Sequence, residues 1–587
     1  MVTLEARERT GAPLLSHSPA GWVGIALAAL SMLLTLVGGR TTPSDEVDGY
    51  GIISALPPLY WVGLVVGLVA TVVALRLAIV ERPRYALLVP AVWLTAFHIG
   101  PHLAHAHLRF PTVWVHLGFV RLIDEQRTGE VLIDARFAWP GFFGTFVAPL
   151  AALDEPVLEV VLRLWPAAII GATAVLVSLL ATRSYPTVPL IGPLAAVVYV
   201  LLSWTGQDYF SPQSFGYTAY LAMLVLLESG PLRTSSAWSA SVPVLARFAA
   251  AGGERPVSRT TPVFVVLLIL SLGATVSHPL APFFICTGLV ILGLYGRTLA
   301  WRLLLMVGLA YLGWFLIAAE PWYSTRIEAL VGQIGAFFTN LDRTTTERVV
   351  DSSAERVFVT NVRSLVGLST FVTVLVIGVA MATERFRHLR PAIPLAPLAG
   401  IPSLALALQS YGGEIIFRVL LFTLPMAAIL IARVLVSFRV RALPVLVPLV
   451  VVAMTPLLLL ARYGNESFEM VTALDREATQ AAYDRADDDT LFVLDSGFLA
   501  FRDRTIGRNA FIDEPLRADD DFVARMRAEA REQGLDRVLV VITPSMHQWR
   551  THGTDRPGYL DEMAEWLITE AGATVVFERD RAWVLEL

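Results

Sequence analysis

A bilayer core is crossed by about 17–25 consecutive, mostly apolar residues, and runs of about that length recur through the first 461 of this chain's 587 residues. Thirteen can be read, at 21–39, 58–79, 85–100, 157–181, 187–204, 214–228, 261–277, 280–296, 302–319, 365–383, 391–408, 417–435 and 444–461. The run at 85–100 is short and the break at Ser277-His278-Pro279 is compatible with a re-entrant segment, so twelve to fourteen spans are expected. Charged residues make up 16% of the chain, against about 25% in soluble domains. A polytopic α-helical membrane protein of about 13 spans follows. The first run starts late and lacks a small-residue cleavage site, so it reads as a retained span.

Charge divides the chain in two. From Arg462 onward there are 26 acidic and 15 basic residues, a net charge of -11, whereas residues 1–461 carry +6. Every one of the 45 basic residues is Arg. Arg residues dispersed among apolar runs act as topology signals rather than as a nucleic-acid surface. Cys286 is the single cysteine, which excludes disulfides, cysteine zinc sites and iron–sulfur clusters within one chain. Alternate connections are Arg-studded: Arg7 and Arg9, Arg76 to Arg84, Arg183, Arg233 to Arg259, Arg297 and Arg302, Arg385 to Arg390, and Arg439 with Arg441. By the positive-inside rule these are cytoplasmic. The expected organisation is a cytoplasmic segment 1–20, a transmembrane domain 21–461 with outer juxtamembrane loops 101–156 and 320–363, and an extracytoplasmic domain 462–587. In the second loop Ile327, Leu330, Val331, Ile334, Phe337 and Phe338 have helical spacing, as an interfacial helix or a packed loop helix would.

The acidic tail has α/β grammar. Thr490–Leu494 and Val538–Ile542 are short β-branched runs suited to buried strands. Residues 519–534 and 557–572 open with acidic turns typical of helix starts, and 574–577 with 582–587 form a candidate hairpin. Neither strand leads into a Gly-rich phosphate loop, so a lid or docking domain is expected rather than a nucleotide site.

Ionisable groups at membrane depth are costly, which makes each a functional candidate. Glu414 and Arg418 are four apart at the outer mouth of a run and share a helix face; they form either a substrate contact or an ion pair that orients helices. Arg donates two parallel hydrogen bonds from a permanently charged fork and so suits phosphate. Asp48, followed by Gly49-Tyr50-Gly51, is a carboxylate able to deprotonate an acceptor hydroxyl, while Asp45 and Glu46 read as a plain acidic loop. His98, His102, His105, His107 and His116 lack metalloprotease-type spacing and are read as donors to a phosphate or sugar hydroxyl. His278 lies where a span breaks, and irregular backbone at that depth lines a cavity. Asp208-Tyr209-Phe210-Ser211-Pro212-Gln213 offers an acid, a tyrosine and a glutamine at a span mouth, suited to reading hydroxyls.

The layout resembles the integral-membrane glycosyltransferases of the GT-C fold. The residues that carry the resemblance are Val113-Trp114-Val115-His116-Leu117-Gly118-Phe119 with Trp139-Pro140-Gly141-Phe142-Phe143, then Asp208 to Gln213, Ser277-His278-Pro279, and Tyr411-Gly412-Gly413-Glu414 with Arg418. The resemblance, of actinobacterial type, implies a polyprenyl-phosphate-linked sugar donor and an outward-facing glycan, lipid or protein acceptor in the cell envelope. It implies catalytic roles for Asp48 and Glu414, donor-phosphate binding by Arg418, His278 and His116, and substrate contacts from Asp208, Tyr209, Gln213, Trp114 and Tyr411. Such enzymes carry a catalytic acid in a long first outer loop. Here that loop is short, Asp48 matches by position, and the long loop comes two spans later with Asp124, Glu125 and Asp134.

Direct displacement by the acceptor hydroxyl would invert the anomeric centre. No cofactor is implied, and a divalent metal stays open. The alternatives are a transporter or flippase of lipid-linked saccharide, which would show paired internal repeats, and a polysaccharide polymerase or ligase. Orientation is directly testable. Reporter fusions after Arg441 and after Arg462 should report opposite sides of the membrane; the same side for both would remove the odd span count and the outer tail together.

Overall fold

The computed structural model describes residues 18–43, 47–105, 107–125, 135–228, 247–248, 261–324, 326–345, 349, 351–408, 410, 413–495, 502–506 and 509–587. Asp45, Glu46, Asp134, Tyr411, Gly412, the Arg-bearing stretch 229–246 and most of segment 1–20 lie outside them. Among the described residues eight helices are long and apolar enough to cross a membrane: Pro19–Arg40, Pro58–Val80, Pro83–Leu103, Glu155–Ser184, Leu299–Ile317, Ala354–Ala382, Ile415–Ser437 and Val440–Tyr463. Pro at the first helical position opens two of them, at Pro19 and Pro58, without losing a hydrogen bond. Leu305, Leu309, Leu312 and Leu316 recur at helical spacing on one exposed stripe, as do Leu365, Leu368, Leu375 and Val379 on a second helix. Such stripes are expelled by water and match a hydrocarbon solvent.

The remaining apolar runs form shorter helices. Ile191–Leu202, Pro212–Leu227, Thr261–Ser277 and Ala281–Leu294 have 12, 16, 17 and 14 residues. Run 391–408 divides into an α-helix at Leu395–Gly400 and a 3-10 helix at Ile401–Ala407. All but Thr261–Ser277 fall short of the about 17–25 residues that a full crossing takes. The run at 85–100 is irregular too: a 3-10 turn, an α-helix and one π-turn at Thr95–Ile99.

The connections sort to two ends. At one end Ser18 bonds Glu81 at 2.7 Å, Tyr185 bonds the Leu389 carbonyl at 2.8 Å and Arg433 bonds the His388 carbonyl at 2.7 Å. At the other, the tail touches the first, third, fifth and ninth connections or the helix ends beside them. Ile52 N donates to Glu466, Arg109 pairs with Glu466, Asp208 pairs with Arg462, and Ser353 N donates to the His552 carbonyl at 3.0 Å. The connections expected to face outward thus share one end with the tail.

The tail folds as a five-stranded sheet of order β2-β1-β3-β5-β4, with β1 at Thr490–Leu494, β2 at Ala510–Asp513, β3 at Arg537–Ile542, β4 at Thr574–Arg579 and β5 at Ala582–Glu586. β1 runs parallel to β2 and β3, and β5 antiparallel to β3. The central strands are buried, which explains their unbroken apolar runs. Helices Asp520–Glu532 and Tyr559–Thr569 and the β4–β5 hairpin stand where the sequence suggests. β2 is only four residues long and adds an element the sequence pattern does not display. Ligands of open α/β sheets bind beyond the carboxyl ends of the strands, where the order reverses. Just past β1, Asp495 accepts from Arg550 Nε at 2.7 Å and from Leu516 N at 3.0 Å, both carboxylate and guanidinium being buried.

One buried pair ties the short helix Ile191–Leu202 to the end of the last apolar helix. Arg462 Nη2 donates to Asp208 Oδ2 at 2.8 Å, and Arg462 Nη1 donates to the Ser203 carbonyl at 3.0 Å. Removing one partner of a buried pair strands the other charge, at a cost of about 3–5 kcal/mol. Asp208→Ala should therefore lower the thermal midpoint and the folded yield in detergent. A parent-like midpoint combined with a raised substrate KM would instead place Asp208 at the substrate.

Candidate functional site

The starts of four helices converge on one cavity. Pro111–Asp124 contributes Thr112 and His116, Pro212–Leu227 contributes Pro212 and Gln213, Ala281–Leu294 begins just after His278-Pro279, and Ile415–Ser437 contributes Arg418 with Glu414 as its N-cap. The cavity measures about 690 Å³, within the range of small-molecule sites at about 300–1,000 Å³. Phe110, Trp139, Phe143, Tyr209 and Trp322 add aromatic wall, and Arg136 and Arg326 add two further guanidinium groups. Helix N-termini carry partial positive charge. Together with three Arg against one carboxylate, Glu414, among the described lining residues, they make the cavity a host for an anion.

Hydrogen bonds fix the polar groups. Arg418 Nε donates to Gln213 Oε1 at 2.8 Å, and Arg418 Nη2 lies 3.0 Å from Glu414 Oε2. The first contact turns the Gln213 amide so that Nε2, a buried donor, has no acceptor among the described residues. Trp139 Nε1 is a second buried donor of this kind in the wall. Buried donors are normally satisfied, and both call for ligand oxygen. His278 Nδ1 accepts from Leu280 N at 3.1 Å and Ala281 N at 3.2 Å. Its ring is therefore held with the proton on Nε2, a donor. His116 is wired the opposite way. Its Nδ1 lies 2.7 Å from the Phe210 carbonyl oxygen, so Nδ1 carries the proton and Nε2 is the basic nitrogen. Tyr209 stacks on the His116 ring at 5.7 Å.

Six expected site residues thus line one cavity: His116, Tyr209, Gln213, His278, Glu414 and Arg418. Three others stand elsewhere. Asp208 is held by Arg462, as described above. Trp114 is fully buried beneath the Arg476 guanidinium, 3.9 Å from its ring, and donates to the Leu108 carbonyl, so its indole packs the domain seam instead of meeting a ligand. Asp48 is exposed and apart from the cavity; its carboxylate caps its own turn by accepting from Tyr50 N at 2.8 Å. The tight Gly49-Tyr50-Gly51 backbone has a packing cause, since a side chain at Gly51 would sit 1.8 Å from the Tyr463 carbonyl oxygen. Asp48 faces the tail: burial lowers the basicity of the His552 imidazole against the opposing pull of Glu355 and Asp48. Tyr411 lies outside the described residues.

The other clustered histidines stand outside this cavity. His98 bonds the Val200 carbonyl at 3.0 Å, His102 sits edge-on to Tyr463, His105 lies 3.5 Å from Glu466, and His107 lies 3.1 Å from Glu159. Arg136 and Arg326 are cavity residues that the sequence reading passes over. The signal for Arg326 was present, because Trp322 and Arg326 are four apart and the guanidinium lies 5.7 Å from the indole centroid. Among the described residues no group of three His, Cys, Asp or Glu could hold a metal ion. A divalent cation seeks several oxygen ligands, and the described lining offers one carboxylate, already bonded to Arg418. The donor set does not fit a divalent metal.

No family model matches the chain, and no curated protein matches it. Among solved structures, an oligosaccharyltransferase of Archaeoglobus fulgidus, tethered through a disulfide to an acceptor peptide with an NVT sequon, aligns over 83% of this chain and 72% of its own. The identity is 10% and the TM-score 0.47.

The two functions of His278, capping and donating, separate by substitution. His278→Asn keeps a side-chain acceptor for the Leu280 and Ala281 amides, whereas His278→Ala loses it and should cost about 1 kcal/mol of stability. Thermal midpoints in detergent should fall for His278→Ala alone; equal midpoints for both variants would remove the capping role.

Proposed function

We propose that this chain is a multi-pass cell-membrane glycosyltransferase of the GT-C kind, which moves a sugar from a polyprenyl-phosphate donor to the hydroxyl of an outward-facing acceptor. The acceptor is a glycan, lipid or protein of the cell envelope, the N-terminus is cytoplasmic and the tail is extracytoplasmic. The observation that carries this reading is the convergence of Arg418, Gln213 and His278 at helix starts, inside a cavity with aromatic walls. Helix dipoles and hydrogen-bond donors suit a phosphate. Aromatic faces suit the apolar faces of sugar rings, and the apolar exterior suits a donor that arrives through the bilayer.

The chemistry distributes as follows. Arg418, Gln213 Nε2 and His278 Nε2–H hold the phosphate oxygens and stabilise the charge that develops there as the bond from anomeric carbon to phosphate oxygen breaks. The acceptor oxygen forms the new bond from the opposite face, and the configuration inverts. Its proton goes to a base. Among the described lining residues the proton acceptors are His116 and Glu414, and Glu414 shares its carboxylate with Arg418. His116, oriented through Nδ1 by the Phe210 carbonyl, is the better base, and in this reading it takes the part that Asp48 was expected to play. Glu414 then holds the Arg418 fork in register.

Transfer by the purified protein from a panel of short-chain polyprenyl-phosphate sugars tests the reading. Arg418→Lys keeps the charge but loses the planar fork and should lose at least about tenfold in kcat/KM, given what such charged hydrogen bonds contribute. His116→Ala should lower kcat by about 10²–10⁴-fold, as for a missing general base. Parent-like turnover in both variants would overturn the assignment.

A further inference from the structure

The helix Pro111–Asp124 has two working faces. Thr112 and His116, one turn apart, look into the cavity. Trp114, Gly118 and Arg121 follow one another at four- and three-residue steps on the opposite side, and each meets the tail. The Arg476 guanidinium lies over Trp114 at 3.9 Å. Gly118 is pressed so closely to the backbone of Arg502 that a Cβ would come within 2.0 Å of its carbonyl oxygen. Arg121 Nη1 donates to Asp503 Oδ2 at 3.0 Å and to the Asp503 carbonyl at 3.3 Å, and its Nη2 donates to Glu155 at 2.7 Å. Asp503 has a side chain with no exposed surface, and it gathers Tyr483 Oη at 2.6 Å, Arg121 at 3.0 Å and Arg476 at 3.4 Å.

From this geometry we infer that Asp503 is a positioning residue: through Arg121 and Arg476 the tail seats the Pro111–Asp124 helix, and the seat sets where His116 stands in the cavity. The inference deepens the reading of the cavity as a sugar-transfer site and rests on it. A carboxylate buried among guanidinium and phenol donors has one well-defined arrangement, and its loss leaves Arg121 with Glu155 alone and takes the shared partner from Arg476 and Tyr483. The helix is short and its second turn carries the base, two residues from Gly118, so a shift of the seat at Gly118 is felt at His116. The tail is then part of the catalytic apparatus without lining the cavity.

The experiment is a double-mutant cycle between Asp503→Asn and His116→Ala in the full chain, with Gly118→Ala as an independent way to disturb the same seat. Asp503→Asn and Gly118→Ala should each lower kcat by roughly tenfold or more, since small displacements of a reacting group have effects of that size, with the donor KM nearly unchanged. In the His116→Ala background the same substitutions should have little further effect, because the group they position is gone. Equal fold losses in both backgrounds would overturn the positioning role and leave Asp503 as a general stabiliser. Hydrogen exchange of residues 111–124 provides an arm that needs no substrate: it should quicken in Asp503→Asn. Unchanged exchange would overturn the seat itself. Quickened exchange in Asp503→Asn, together with a parent protein that transfers no sugar, would uphold the seat and count against the sugar-transfer reading alone.

Discussion

A guanidinium at the head of a membrane helix, partly out of reach of water, must be held by something. Arg418 is held by Gln213 from one neighbouring element and by Glu414 from its own N-cap. This arrangement governs the polar interior. It keeps the charge in place without neutralising its surroundings, orients the Gln213 amide and draws two helix starts together. The cavity forms around that charge, with His278 capping a third helix and His116 descending from a fourth. In a bilayer, irregular backbone is tolerated where protein or water covers it, and this is where the shortened helices end.

The division of labour between the two histidines comes from backbone contacts alone. Each ring has one nitrogen bound by the main chain, but His278 accepts there and His116 donates. The same residue type therefore presents a donor on one wall and a basic nitrogen on another, which is what displacement at a sugar phosphate requires: a held leaving group and a base for the incoming hydroxyl. The tail reaches the same chemistry from behind, through the helix that carries His116.

Six of the residues that line the candidate cavity stood out in the sequence because membrane depth makes polar residues conspicuous. Glu414, Arg418, His278, Gln213, Tyr209 and His116 each interrupt an apolar run or stand at its mouth, and all six share the cavity. The tail's strands β1 and β3 were legible because buried parallel strands need unbroken apolar runs. Asp208 and Asp48 misled for the same physical reason. An acid beside a span is equally well explained by a buried ion pair or a capped turn, and the partners, Arg462 and Tyr50 N, decide which. Trp114 sits in the same motif as His116 but two residues away, and on a helix that step turns it to the opposite face. Arg136 comes from a four-residue helix and Arg326 from the turn between two short helices, with no long apolar run to set them off.

The central claim is that Arg418, Gln213 and His278 hold the phosphate of a lipid donor. The most direct test is a cryo-electron microscopy map of the protein in nanodiscs with a short-chain polyprenyl phosphate. Phosphate density should lie within hydrogen-bond distance of Arg418, Gln213 Nε2 and His278 Nε2, with the prenyl chain leaving toward the bilayer. Phosphate density bound elsewhere on the protein, with the cavity holding only water at saturating ligand, would contradict it.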